Sequence, residues 1–433
     1  IIHNNILNMK NLINSFLVLA MFSFLFTSCD SDDDNGMVND TSENEISGLI
    51  SSNMTLTNDR VWELNGRTTV ESGVTLTIEP GTIIKGFPGQ GANSSVLIIA
   101  RGATIIADGT ADEPIIFTST ADNIGLGETM GSNLDQNDRG LWGGLIVLGN
   151  APSSLRGDVE SVQIEGIPAS DTNGLYGGND PEDSSGVLDY VSVRHGGTNI
   201  GEGNEINGIT LGGVGRGTIV SNIEVVANVD DGVEFFGGTV NASNIFVWAV
   251  GDDSIDIDQA YSGTITNAGI VLGDISDHAL EIDGPEGSLM GEFTINDLTL
   301  FGNQNTPNGE YADYRSRAMG ATNNVYAQGF KSSSDVELDN NGVSQNYLDG
   351  DLTFSNWVFD LPNGITAANE LFIEKVGCAQ NCDDDNEDND IPEEFITTFT
   401  ADAAAWASEG MQGGADLSAF SWTYSNNKAG LGF

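Results

Sequence analysis

Between Ser221 and Gly287 the chain states one pattern three times: SNIEVVANVDDGVEFFGGTV, SNIFVWAVGDDSIDIDQAYSGTI and TNAGIVLGDISDHALEIDGPEG. Each copy joins an apolar alternating run to a Gly/Asp turn and a second alternating run. The spacing holds: Asn222 to Asn244 is 22 residues, Asn244 to Asn267 is 23, Asp231 to Asp253 is 22 and Asp253 to His278 is 25. A unit this short cannot bury its apolar face alone, so such copies fold by stacking.

Alternation with a period of two, broken by Gly-rich turns, reads as strands rather than helices. VTLTIEPGTIIKG (74–86), SVLIIARGATIIADGTADEPIIFTST and GLWGGLIVLGNAP (140–152) repeat the arrangement upstream, and no stretch of this region carries a helical period over twelve residues. Strands that recur every coil without intervening helices stack on their own equivalents in the next coil. The fold class expected is all-β, a right-handed parallel β-helix with a capping C-terminal segment. The handedness comes from the general rule for parallel crossovers. The Gly/Asp/Ser/Asn-rich stretch 151–186 reads as a loop thrown out of one coil. A later coil is expected at NDLTLFGN, with its second half displaced to RAMGATNNVYAQGF.

The charge balance, 14 basic against 64 acidic residues for a net −50, repels nucleic acid and anionic surfaces and attracts divalent cations where acids crowd. Nucleic-acid binding is therefore excluded. Disorder is set aside for the body, because 39% hydrophobic residues with strong period-two alternation argue for a packed interior.

The chain divides into four parts. Residues 1–28 read as an upstream extension followed, from Met9 and Lys10, by a short apolar export signal. Residues 29–45 form an acidic tether, 46–391 the β-helix with loop insertions, and 392–433 a C-terminal cap that includes ITTFTADAAAWASEG, the one short helix expected. Phe26-Thr27-Ser28-Cys29 resembles a bacterial lipoprotein box, which implies lipidation of Cys29 and an outer-membrane anchor. The run Asp30-Ser31-Asp32-Asp33-Asp34 behind it resembles the export tag of lipoproteins sent to the cell surface, and equally suits a solvated linker. In an exported chain Cys378 and Cys382, four residues apart, are read as a local disulfide.

Alignment of the copies places turn residues in columns: Asp230, Asp252 and Asp277, then Asp231, Asp253 and His278. In the strand that follows, Val233/Phe235, Ile255/Ile257 and Leu280/Ile282 point inward, so Glu234, Asp256 and Glu281 point outward, with Asp258 and Asp283 on the same face. Carboxylates about 4.8 Å apart repel unless a proton, a cation or a basic neighbour intervenes. Three readings follow: acids that cap turns, a Ca²⁺ site drawing on Asp252, Asp253, Asp256 and Asp258, or catalysis. Asp231, Glu234, Asp256 and Glu281 are the expected ligand-binding residues.

The catalytic reading has a definite form. NVD (228–230), GDD (251–253) and His278 on successive coils resemble the acid–acid–His ladder of pectin-degrading glycoside hydrolases built on right-handed parallel β-helices. That resemblance implies Asp253 as general acid, Asp230 and Asp252 as activators of water, and His278 as their assistant. Val229 and the residues flanking His278 depart from that pattern. A broader resemblance, carried by TIEPGTIIKG, LIIARGATIIADGT, GLWGGLIVLGNAP, VSVRHGG, DDGVEFFGGTV and GDDSIDID, is to exported bacterial surface lipoproteins with a β-helix body. It implies a location outside the cytoplasm and an architecture, and no chemistry. The function expected is a non-catalytic binding or adhesion module for an extracellular glycan or a surface protein. The alternatives are a polysaccharide-degrading hydrolase or lyase and a structural surface-layer component.

Overall fold

A computed structural model describes residues 43–201, 204–375 and 397–433. Cys29, Cys378 and Cys382, with the signal and most of the tether, lie outside the described residues. Among the described residues twenty-four strands form one sheet in which every pairing is parallel, and two small antiparallel hairpins stand apart from it. The body is a right-handed parallel β-helix. A coil consists of a long strand, such as Ile219–Val226, Ala242–Trp248 or Thr264–Val271, then a turn, then a short strand, such as Val233–Phe236, Ile255–Asp258 or Leu280–Ile282. Each pairs only with its equivalents one coil away.

The long strands bend, and the bend explains the recurring asparagines. Asn222, Asn244, Asn267, Asn324 and Asn356 all have positive φ, between 49° and 63°. Asn tolerates that left-handed conformation better than residues other than glycine. The side chains then stack: Asn244 Nδ2 donates to Asn222 Oδ1 at 2.9 Å, and Asn267 Nδ2 donates to Asn244 Oδ1 at 2.7 Å. Asp297 occupies the same position one coil on and accepts from Asn324 Nδ2. The 22- and 23-residue spacing is thus the circumference of a coil measured between its corners.

The inward rungs fill the interior. Val233, Phe235, Ile255, Ile257, Leu280 and Ile282 are all at most 1% exposed and belong to one continuous apolar core. Burying each stabilises the stack by about 1.5–3 kcal/mol. At the C-terminal end Phe354, Trp357, Phe372, Phe399 and Trp406 close the coil with edge-to-face and stacked rings, Phe372 and Trp406 being 4.5 Å apart.

Four expectations change. The second half of the coil that begins at Phe293–Phe301 is Ala312–Tyr314, and Gly320–Gln328 is the next long strand, in register with Phe293–Phe301. Period-two alternation is the same in long and short strands, so only the pairing distinguishes them. A helix, Asn341–Asp349, is inserted between coils, with the Asn340 side chain at its N-terminus and Gly350 at φ 84° closing it. The sheet also continues past residue 391, since Ala407–Glu409 pairs with Leu352–Phe359. The end is closed by Phe399 and Trp406, whereas the final segment runs back along the long-strand face. There Phe420 packs on Phe246, Asp416 N–H donates to Asn267 Oδ1, and Ser425 N–H donates to Glu224 Oε1 at 2.7 Å.

Candidate functional site

The short strands carry an outward column whose character changes along the stack. Successive register partners are Ile98, Ile146, Thr210, Glu234, Asp256, Glu281, Asp313, Glu337 and Ile373. The insertion 151–186 covers the apolar rungs: Leu155, Ile164, Ile167 and Tyr176 pack on Val96, Ile98, Ile146 and Phe236. Beyond its edge the rungs are carboxylates, and there a cleft of about 460 Å³ opens. Asp230, Asp231, Glu234, Asp252, Asp253, Asp256, Asp258, Asp277, His278, Glu281, Asp283 and Arg315 line it from the coils, with Glu165 from the insertion and Glu205 from the small hairpin strand Asn204–Ile206.

Burial and mutual repulsion dominate the electrostatics. Asp231, Glu234, Asp256 and Asp283 are all pushed well above the usual carboxylate range, by desolvation first and neighbouring acids second. Asp230 rises to about 9 through burial, the nearby Glu205 and Glu165, and a hydrogen bond with Glu205. Glu165 rises to about 8 for the same reasons, burial and then Asp258. Asp252, less enclosed, rises to about 6. Burial opposes the charge on His278, but Asp253 outweighs it and the ring rises to about 10. His278 Nδ1 donates to Asp253 Oδ1 at 2.8 Å, and the His278 N–H donates to the same oxygen at 2.7 Å.

The protein supplies its own cations to part of this surface. Arg315 pairs with Glu281 and with Asp283 Oδ2, the latter at 3.2 Å, both from the preceding coil. Lys375 pairs with Glu337 and with Asp339 Oδ1, the latter at 2.8 Å, by the same one-coil step. No ion pair to a basic residue is formed by Asp231, Glu234 or Asp256 among the described residues. Ligand oxygens of those three lie within 4.8 Å of one another. Oδ1 of Asp256, a residue 7% exposed, has no hydrogen-bond partner.

All the expected residues meet in this cleft: Asp230, Asp231, Asp252, Asp253, His278, Glu234, Asp256, Asp258 and Glu281. They divide differently from the expected quartet of Asp252, Asp253, Asp256 and Asp258. Asp256 groups with Asp231 and Glu234, Asp252 with Asp230 and Asp231, and Asp253 with His278 and Glu281. Asp253 is the acceptor for His278, an arrangement that does not suit the proton-donating role the hydrolase resemblance implies. Of the outward acids, Glu234 and Asp256 are buried and Asp258, Glu281 and Asp283 are half-buried. Asp313, Glu337, Glu165 and Glu205 escaped the sequence reading. Asp313 lay hidden by the misplaced half-coil, and Glu337 stood in a further coil not identified as a copy; Glu165 and Glu205, outside the coils, share no period with them.

A family model described as "Pectate-lyase like beta helix domain" matches residues 48–413. No curated protein and no solved structure matches the chain. The match spans the sheet from its first strand to beyond its last and includes every coil that lines the cleft. The chain belongs to the pectate-lyase-like β-helix family.

Proposed function

We propose that the protein is a cell-surface module that binds an extracellular glycan through a divalent cation, Ca²⁺, held by Asp231, Glu234 and Asp256. The observation that carries this is the orphaned Oδ1 of Asp256, buried among oxygens of Asp231 and Glu234, none of the three ion-paired to a basic residue among the described residues. The donor set fits the ion: Ca²⁺ takes six to eight hard oxygens at about 2.3–2.6 Å, so ligands on opposite sides stand roughly 4–5 Å apart. Three carboxylates leave coordination positions open toward the cleft, where sugar hydroxyls or carboxylates complete the shell. The cleft's 460 Å³ is of the size of a small-ligand site, and family membership is consistent with a polysaccharide as the ligand. Lipidation of Cys29 anchors the body at the outer membrane in this reading. A surface protein that presents acidic or hydroxyl oxygens is the other class of partner.

A second reading, hydrolase or lyase, draws on the unequal proton affinities of Asp230 and Asp252, about 9 and about 6. Asp230 would then be the general acid in place of Asp253. Oxygens of Asp230 and Asp252 lie within 4.8 Å, short of the about 6.5–9.5 Å that admits a water in an inverting hydrolase. Titration of Ca²⁺ into chelator-treated protein, followed by acidic and neutral polysaccharides with and without Ca²⁺, separates the readings. Calcium-dependent binding without reducing ends or unsaturated products supports the module. Products that vanish in Asp230→Asn overturn it in favour of the enzyme, and the absence of both Ca²⁺ and glycan binding leaves the structural surface-layer role.

A further inference from the structure

The acidic column does not end with the cleft. Asp313 and Glu337 are its next rungs, and Asp339 follows on the same face. Oxygens of these three lie within 4.8 Å of one another. Asp313 is 6% exposed and Asp339 1% exposed, and Oδ1 of the first and Oδ2 of the second have no hydrogen-bond partner. The one ammonium that reaches the group is Lys375, on Glu337 and on the other oxygen of Asp339. The His278 ring acts on Asp313 only through space, so Lys375 is the ion pair the described residues give these three acids, and two buried oxygens stay unmatched.

We propose that Asp313, Glu337 and Asp339 form a second divalent-cation site, independent of the cleft, at which Lys375 acts as a displaceable resident counter-ion. The lysine can leave because its side chain is 47% exposed and it stands just beyond the short strand Phe372–Glu374. Arg315 is not available as a substitute, being held by Glu281 and Asp283 one coil away. An ion here ties two successive coils near the C-terminal end of the stack, where the sheet has fewest neighbours. The oxygen-only donor set suits Ca²⁺ or Mn²⁺ over Zn²⁺.

The test uses Ca²⁺ alone, titrated calorimetrically into chelator-treated full-length protein carrying Glu234→Gln and Asp256→Asn, which removes two of the three ligands of the proposed cleft site. One equivalent is expected to bind. Adding Lys375→Met should tighten it by about tenfold, since the competing charge is gone, and should enlarge the rise in melting temperature with Ca²⁺. Adding Asp313→Asn instead should abolish it. Unchanged affinity in Lys375→Met overturns the proposal, as does Ca²⁺ binding that survives Asp313→Asn. If the Asp313→Asn variant fails to fold, the Lys375→Met comparison still decides.

Discussion

His278 lies directly above Asp253, 25 residues away in sequence, and the two are joined twice through a single carboxylate oxygen, by ring and by backbone. The pair is therefore a fixed feature of the stack. With Arg315 it gives the acidic cleft its positive wall, and the turn that places it is made by the coil's own backbone ladder: Ser254 N–H donates to His278 O at 3.1 Å.

Asp253→Asn should move the His278 titration down from about 10 toward the ordinary imidazole range, because burial alone disfavours the charged ring. Proton NMR of the imidazole across pH 5–11 reads this directly. A titration that stays near 10 would mean that Asp313 and Asp277, the next acids in line, hold the ring charged without Asp253.

Stability should fall as pH rises. Asp252, Glu165, Asp335 and Asp230 titrate at about 6, 8, 8 and 9 in the folded chain, above the ordinary carboxylate value. The folded state binds more protons than the unfolded one throughout that interval, so each unit of pH between about 4 and 9 favours unfolding. His278, raised to about 10, acts in the same sense above its ordinary 6.5. Thermal melts of chelator-treated protein at pH 5, 7 and 9 should show a steady decline. Millimolar Ca²⁺ should reverse it most at pH 9, where it replaces protons already lost.

The return of the C-terminal segment depends on Glu224. This fully buried carboxylate accepts from Ser425 N–H and Oγ, from Tyr424 N–H and from Ser192 Oγ, with the buried Arg194 guanidinium 3.8 Å away and 4.5 Å from the Tyr424 ring. Removing one partner of a buried pair leaves the other charge uncompensated, so Glu224→Ala should cost about 3–5 kcal/mol. Limited proteolysis should then cut within 411–433 first, while circular dichroism retains the β-sheet signal.

At the corners, Asn244→Ala should cost about 1–2 kcal/mol from the left-handed backbone and about 1 kcal/mol more from two lost amide bonds. Asn244→Gly should lose only the second part. Urea denaturation of the two variants separates backbone strain from side-chain stacking, and equal losses would refute the strain argument.

In the core, Phe235→Ala should destabilise by about 3–5 kcal/mol, since the ring lies 4.7 Å from that of Tyr261 in a fully enclosed interior. A shift in the denaturation midpoint without a change in slope is the expected form.

The repeat at 221–287 determined the coil length, the strand faces and the meeting of Asp230, Asp252, Asp253, Asp256, His278 and Glu281, because period-two alternation and a constant circumference are local properties that survive in a linear string. Tertiary structure alone decided three further things. It decided which rungs are covered and which open into the cleft, since the insertion 151–186 packs its apolar residues on Ile98 and Ile146 and brings only the Glu165 carboxylate to the wall beside Glu234. It decided where the acids find a counter-charge: Arg315 and Lys375 reach back one coil to Asp283 and Asp339, 32 and 36 residues earlier, with nothing in the string to pair them. And it decided that the last residues fold back on Glu224 across some 200 positions of chain. The physical reason is the same in each case. Faces follow from the alternation of neighbouring residues, whereas burial and charge compensation depend on what is brought up against a face from elsewhere in the chain.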